Sequence, residues 1–170
     1  MKKGFTLIEL LVSMTIFLIV MVSIIELFIS GIKTQKKSLA LQTLSDHTSY
    51  VVEYMSRKIR MAKKDLTSGC NFESVTDGIK FLNYEKEDQW FILEDGQIKE
   101  KKDGDPDFTA LTSDNFEVKN LSFGLSGRCQ TDNLQPRVTI VMEIQTKEVE
   151  PQKLNIQTTI SQRDLDVTRY

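Results

Sequence analysis

Hydrophobic and polar positions divide this chain into three regimes. From Phe5 to Ile32 nearly every residue is Leu, Ile, Val, Phe or Met, interrupted by Glu9, Glu26, Gly31 and a few Ser and Thr. The apolar positions then thin to a stripe. Leu41, Leu44, Thr48, Val51 (with Val52), Met55, Ile59 and Ala62 recur at three- and four-residue spacing, the mark of an amphipathic helix. No proline precedes Pro106, so one helix is predicted from Phe5 to about Lys64. Gly31 is its soft point, at about 1 kcal/mol relative to alanine. After Asp65 the period changes to two. Ile79–Tyr84, Trp90–Leu93, Gln97–Lys101, Phe116–Leu125, Arg137–Thr146 and Lys153–Gln162 read as strands, with turn residues at Asp77-Gly78, Asp95-Gly96 and Asp103-Gly104. Val138, Ile140, Met142 and Ile144 alternate cleanly, as do Leu154, Ile156, Thr158 and Ile160. The predicted fold is α+β: a long amino-terminal helix whose stripe packs on an antiparallel β-sheet.

The first regime has the length of a membrane span. Twenty-one helical steps separate Phe5 from Glu26, about 31 Å at about 1.5 Å per residue, against a hydrocarbon core of about 30 Å. Glu26 then falls at the far interface and Glu9 roughly 6 Å inside the near one. A secretory signal peptide has a shorter apolar core, about 7–15 residues, and a small-residue cleavage site; this run is longer and lacks such an end. A carboxylate inside a membrane-length segment is costly without a partner, which marks Glu9 as functional. Its bland alternative is a favourable interaction with its own helix N-terminus.

Met-Lys-Lys-Gly-Phe-Thr-Leu-Ile-Glu, residues 1–9, resembles the leader of type IV pilins and of the pseudopilins of type II secretion systems. The resemblance implies cleavage by prepilin peptidase between Gly4 and Phe5 and N-methylation of Phe5. It also implies that Glu9 serves as a subunit assembly contact, paired with the Phe5 amine of a neighbouring copy. The chain then divides into a leader at 1–4, a transmembrane segment at 5–32, an amphipathic continuation at 33–64 and a β-rich exported domain at 65–170. Lysines flank the apolar run on both sides, Lys2 and Lys3 against Lys33, Lys36 and Lys37, so charge alone does not orient it. The resemblance places the amino terminus in the cytoplasm, the anchor in the inner membrane and the domain outside.

A looser resemblance extends further. Val118–Phe123, the proline-led Gln135–Ile140 and the final Leu154–Arg163 are similar to W-type minor pilins and J-type minor pseudopilins. This implies a low-copy tip or initiation subunit of a type IV pilus or related filament. Many major pilins carry proline where this chain has Glu26, a departure in the same direction. The expected partners are prepilin peptidase, other pilins or pseudopilins, the inner-membrane assembly platform and the lipid bilayer. The alternative is a membrane-tethered exported binding or enzymatic domain that enters no filament.

Charge and candidate chemistry change this picture little. Lys+Arg total 22 against 24 Asp+Glu, which gives no global footprint for nucleic acid; the local cluster Arg57, Lys58, Arg60, Lys63 and Lys64 reads as a solvated face near anionic lipid. Cys70 and Cys129 are the two cysteines. In an exported domain they form either one disulfide, the favoured reading, or two buried thiols. Asp103, Asp105 and Asp107 invite a calcium reading, but the turn glycine and twelfth-position glutamate of such a loop are missing, leaving a solvated acidic loop. His47 is the sole histidine, which excludes a metal site or triad built on several histidines. It reads as a polar residue beside the helix stripe, and Trp90 and Phe91 read as core. No phosphate-binding loop and no nucleophile–base pair are present. No cofactor or metal is expected, and the chain reads as the substrate of an enzyme rather than an enzyme.

Overall fold

The computed structural model describes residues 4, 6–65, 69–129, 131–132, 134–148 and 150–164. The chain divides into two units, Met1–Ala40 and Leu41–Tyr170. A single helix, α1 (Leu7–Arg60), runs through both, as the absence of proline allows. It ends a turn earlier than Lys64: the Ala62 N–H turns to Ile59 O and the Lys63 N–H to Leu82 O. Basic residues Arg57, Lys58 and Arg60 occupy its last turn, where they favour the negative end of the helix dipole.

In the first unit every described side chain of α1 from Leu7 to Leu39 is exposed, although mean hydropathy reaches 2.6 over its most apolar 18 residues. By length and composition this part can cross a membrane. The hydroxyls of Ser13, Thr15, Ser23 and Thr34 are satisfied within the helix. Ser13 Oγ donates to Glu9 O (2.7 Å), Thr15 Oγ1 to Val12 O (2.8 Å) and Ser23 Oγ to Ile19 O (3.0 Å). Such back-bonding is what lets Ser and Thr enter a hydrocarbon environment.

The second unit contains eight described strands in two antiparallel sheets. β1 (Phe72–Val75), β2 (Gly78–Leu82), β3 (Asp88–Glu94), β4 (Gln97–Lys102) and β5 (Thr109–Ala110) form a five-stranded meander in chain order. β6 (Phe116–Ser126), β7 (Arg137–Thr146) and β8 (Lys153–Ser161) form a second, three-stranded one. The six predicted strands are all present, but they belong to two sheets rather than one. The break falls after β5, which is only two residues long. A bulge between Val118 and Asn120 then bends β6.

Asp95 and Gly96 join β3 to β4 with φ of 53° and 71°. Both are left-handed, as a two-residue type I′ hairpin needs. Gly78 is required for a different reason. An added Cβ would lie 2.2 Å from Phe91 O on the neighbouring strand.

The inner sheet faces and the helix stripe make one core. Leu44, Thr48, Val51, Met55, Ile59 and Ala62 are buried as predicted, whereas Leu41 remains 39% exposed. Ile79, Phe81, Phe91 and Ile98 meet them from the first sheet; Val118, Leu121, Val138, Ile140, Met142, Ile144 and Ile160 do so from the second. Trp90 departs from its prediction. It is only half-buried, because the pleat turns it to the face opposite Phe91, where Lys80 Nζ lies 5.5 Å from its ring centroid.

Candidate functional site

The residues singled out by sequence lie in two places. At the amino end, Thr6 precedes the first helical residue. Its carbonyl accepts from the N–H groups of Glu9 (3.1 Å) and Leu10 (3.2 Å), and its Oγ1 accepts from Glu9 N–H at 3.4 Å. Thr6 is therefore the N-cap and Glu9 the third helical residue, the positions of a Thr-x-x-Glu capping box. That signature is legible in Thr6-Leu-Ile-Glu9, and the sequence reading passed over it. Glu9 thus sits in the first turn, where its charge favours the helix dipole. Gly4 is exposed, and an added Cβ there would meet nothing within 4 Å, so the fold does not demand glycine at this position. Phe5, Lys2 and Lys3 lie outside the described residues, and so do the cleavage and methylation expected at Phe5.

In the second unit Cys70 and Cys129 form a disulfide across a 59-residue separation. It coincides with an isolated antiparallel bridge between the same two residues, and Asn71 N–H donates to Arg128 O at 2.6 Å. A relay of buried amides begins beside it. Asn71 Nδ2 donates to Gln162 Oε1 (3.2 Å), and Gln162 Nε2 donates to Ala62 O (2.9 Å). Asn71 Oδ1 accepts from Asp65 N–H at 3.2 Å. The Arg163 N–H completes the seam at Arg60 O, 2.8 Å away. The end of α1, the disulfide and the end of β8 are thereby fastened together.

A second polar cluster joins helix to sheet. Tyr54 OH donates to Glu100 Oε2 at 2.9 Å, and Gln89 Nε2 donates to Glu100 Oε1. Burial and this carboxylate together push the Tyr54 hydroxyl pKa well above its usual value. His47 is more than a polar neighbour of the stripe. Its Nε2 accepts from Ser113 N–H at 3.2 Å, and its ring stacks on Phe116 at 4.7 Å. Burial lowers its pKa, which keeps the ring neutral and able to accept.

None of these groups pairs a nucleophile with a base. One cleft, of about 490 Å³, is lined by Met61, Ala62, Lys63, Tyr84, Arg163 and Asp164. Its charged groups partly answer one another, Lys63 Nζ lying 3.7 Å from Asp164. The Asp103–Asp107 segment is a surface turn in which Asp105 Oδ2 accepts from Lys102 N–H, and among the described residues no acidic, His or Cys group is arranged to hold a metal.

Residues 1–25 match the family model described as the prokaryotic N-terminal methylation motif. Nothing matches the chain among curated proteins or among solved structures. The motif occupies the amino-terminal end of the chain, supports a type IV pilin-like or pseudopilin-like protein and suggests a structural subunit. It implies processing by prepilin peptidase and assembly with other pilins. Together with the long apolar helix it fits an inner-membrane-anchored subunit.

Proposed function

We infer that this chain is a minor pilin or pseudopilin, cut between Gly4 and Phe5, methylated at Phe5 and assembled through its amino-terminal helix into a type IV pilus or related filament. The observation that carries this is the match of residues 1–25 to the methylation motif, on a helix whose most apolar stretch has no cover within the chain. Gly4 adds support. Since nothing crowds an added side chain there, the demand for glycine comes from what reads the segment rather than from the fold. Residues 5–32 form the transmembrane part and 33–64 its continuation, with the domain exported. The similarity of Val118–Phe123, Gln135–Ile140 and Leu154–Arg163 to W-type and J-type subunits favours a tip or initiation role.

Glu9 acts at two levels. It supports its own helix start, and it neutralises the amine that cleavage creates on a staggered neighbour, which lowers the cost of placing both charges in the membrane. Co-expression with prepilin peptidase tests the reading. The expected product lacks Met1–Gly4 and carries one added methyl on Phe5 by mass spectrometry. An intact amino terminus under those conditions would refute the processing. Glu9→Ala should still be cleaved yet co-purify poorly with the filament, and normal incorporation of that variant would remove the pairing role. Loss of filament co-purification in every form, with normal membrane retention, would favour a tethered domain.

A further inference from the structure

The two sheets have four edges between them, and three are blunted. β1 and β5 are four and two residues long, and short edge strands offer little to an incoming chain. The free side of β6 is bulged at Val118/Asn120, and its Val118 N–H is taken by Gly96 O of the β3–β4 turn at 2.8 Å. β8 is different. It pairs with β7 in unbroken register from Arg137↔Ser161 to Gln145↔Lys153, and among the described residues no strand pairs with its other side. It contains no proline, glycine or bulge. Its one charge, Lys153, stands at the first position and lies 3.9 Å from Glu143 of its own sheet. Among the described residues, β8 beyond Lys153 therefore carries none of the proline, bulge or charge that normally protects a long edge.

The apolar face of this sheet also stops short at β8. Ile144 and Met142 on β7 are fully buried, but their partners Leu154 and Ile156 on β8 are only half-covered. A further strand would carry that face onward. The sequence of β8 specifies which strand fits. Turned antiparallel to a second copy of itself about Gln157, it opposes Leu154 to Ile160, Ile156 to Thr158, Asn155 to Thr159 and Lys153 to Ser161. Apolar residues then meet apolar or β-branched ones on the inner face, and polar residues meet on the outer face, each Lys153 opposite an uncharged Ser161. No like charges are opposed, which would be destabilising, and a one-residue slip would put the apolar row opposite the polar one.

We propose that the free edge of β8 is a homotypic interface, at which two copies of this chain pair β8 to β8 antiparallel and join their three-stranded sheets into one six-stranded sheet. This uses a surface separate from the amino-terminal helix and does not depend on which filament receives the subunit. Directly opposed residues place their Cβ atoms about 4.5–5.5 Å apart, within reach of a short thiol cross-linker. The full chain, in membranes of cells producing it, is tested with single cysteines. Gln157→Cys should give a species of twice the chain mass, whose linked peptides join residue 157 to residue 157. Ser161→Cys should not, since its two copies lie eight residues apart along the strand, about 27 Å. Asn155→Cys mixed with Thr159→Cys should cross-link although neither does alone, and Gln157→Lys introduced into that mixture should abolish the product by opposing two like charges. A monomeric Gln157→Cys with its native disulfide intact would overturn the proposal. So would equal cross-linking at Gln157, Ser161 and the β6 position Ser122, or an adduct with a different protein in place of the twin.

Discussion

The two parts of α1 are one secondary structure answered by two different surroundings. Up to Ala40 its large apolar residues are displayed, Leu10 at 62% and Ile19 at 68% exposure, while Leu44, Met55 and Ile59 further along are fully buried. The polar groups differ in the same sense. Ser13, Thr15 and Ser23 turn back onto their own helix, whereas Tyr54 and His47 find partners on the sheets and loops of the second unit. One part is complete in itself and needs an apolar solvent. The other is complete only when the strands are in place. Substitutions should therefore separate them, each damaging one part and sparing the other.

The largest separation is expected from the core. Phe91 is fully buried against Phe81, their rings 5.6 Å apart, and Phe91→Ala should cost about 3–5 kcal/mol of domain stability. Thermal unfolding of the detergent-solubilised chain should show the loss, while membrane retention stays unchanged. If the anchor were lost as well, the two parts would not be independent. Removing the disulfide should come next. For the 59-residue separation of Cys70 and Cys129, the chain-entropy model gives about 4 kcal/mol. Cys70→Ser with Cys129→Ser should lower the denaturant midpoint accordingly without affecting the anchor; an unchanged midpoint would mean the amide seam around Asn71 and Gln162 holds that region alone. The converse experiment is Val20→Asp. An acidic residue at the centre of the apolar run should cost about 2.5–3.5 kcal/mol of insertion. It should move the chain toward the alkali-extractable fraction and leave the unfolding of the domain where it was.

The same contrast explains what could be read from the sequence. An apolar run without a break and a stripe at helical spacing are local patterns, so Leu44, Thr48, Val51, Met55, Ile59 and Ala62 were legible as buried, and so were the hairpin at Asp95-Gly96 and the alternation in β7 and β8. Leu41 was misplaced because spacing continues a stripe past the point where the sheets stop covering it. β1 escaped notice because Phe72-Glu-Ser-Val75 is short and carries only its two ends as apolar residues. The division into two sheets was not legible either. It depends on a two-residue strand and on one backbone bond from Val118 to Gly96, which no periodicity records. The seam around Gln162 joins residues 91 and 100 positions apart, and nothing in an amide's local sequence announces such a partner. The capping box at Thr6 and Glu9, by contrast, was readable, but its message was hidden behind the stronger one that the same glutamate carries.

The smallest effect should come from His47, and it sharpens the comparison because it reports on the helix–sheet contact alone. Burial holds its folded pKa below the ordinary 6.5. The unfolded chain therefore takes up the proton first as pH falls. The stabilisation is fully present above 6.5 and is lost as pH drops below it toward the folded value. Protonation also turns Nε2 from acceptor into donor, against the Ser113 N–H that now points at it. The unfolding temperature of the domain should thus decline between about pH 7 and pH 5, and His47→Gln, which keeps an acceptor but cannot titrate, should flatten that part of the profile. A profile as steep in the variant as in the parent would assign the pH dependence to carboxylates instead. In either outcome the part of α1 before Ala40 holds no titrating histidine, so its membrane retention should not follow the same curve.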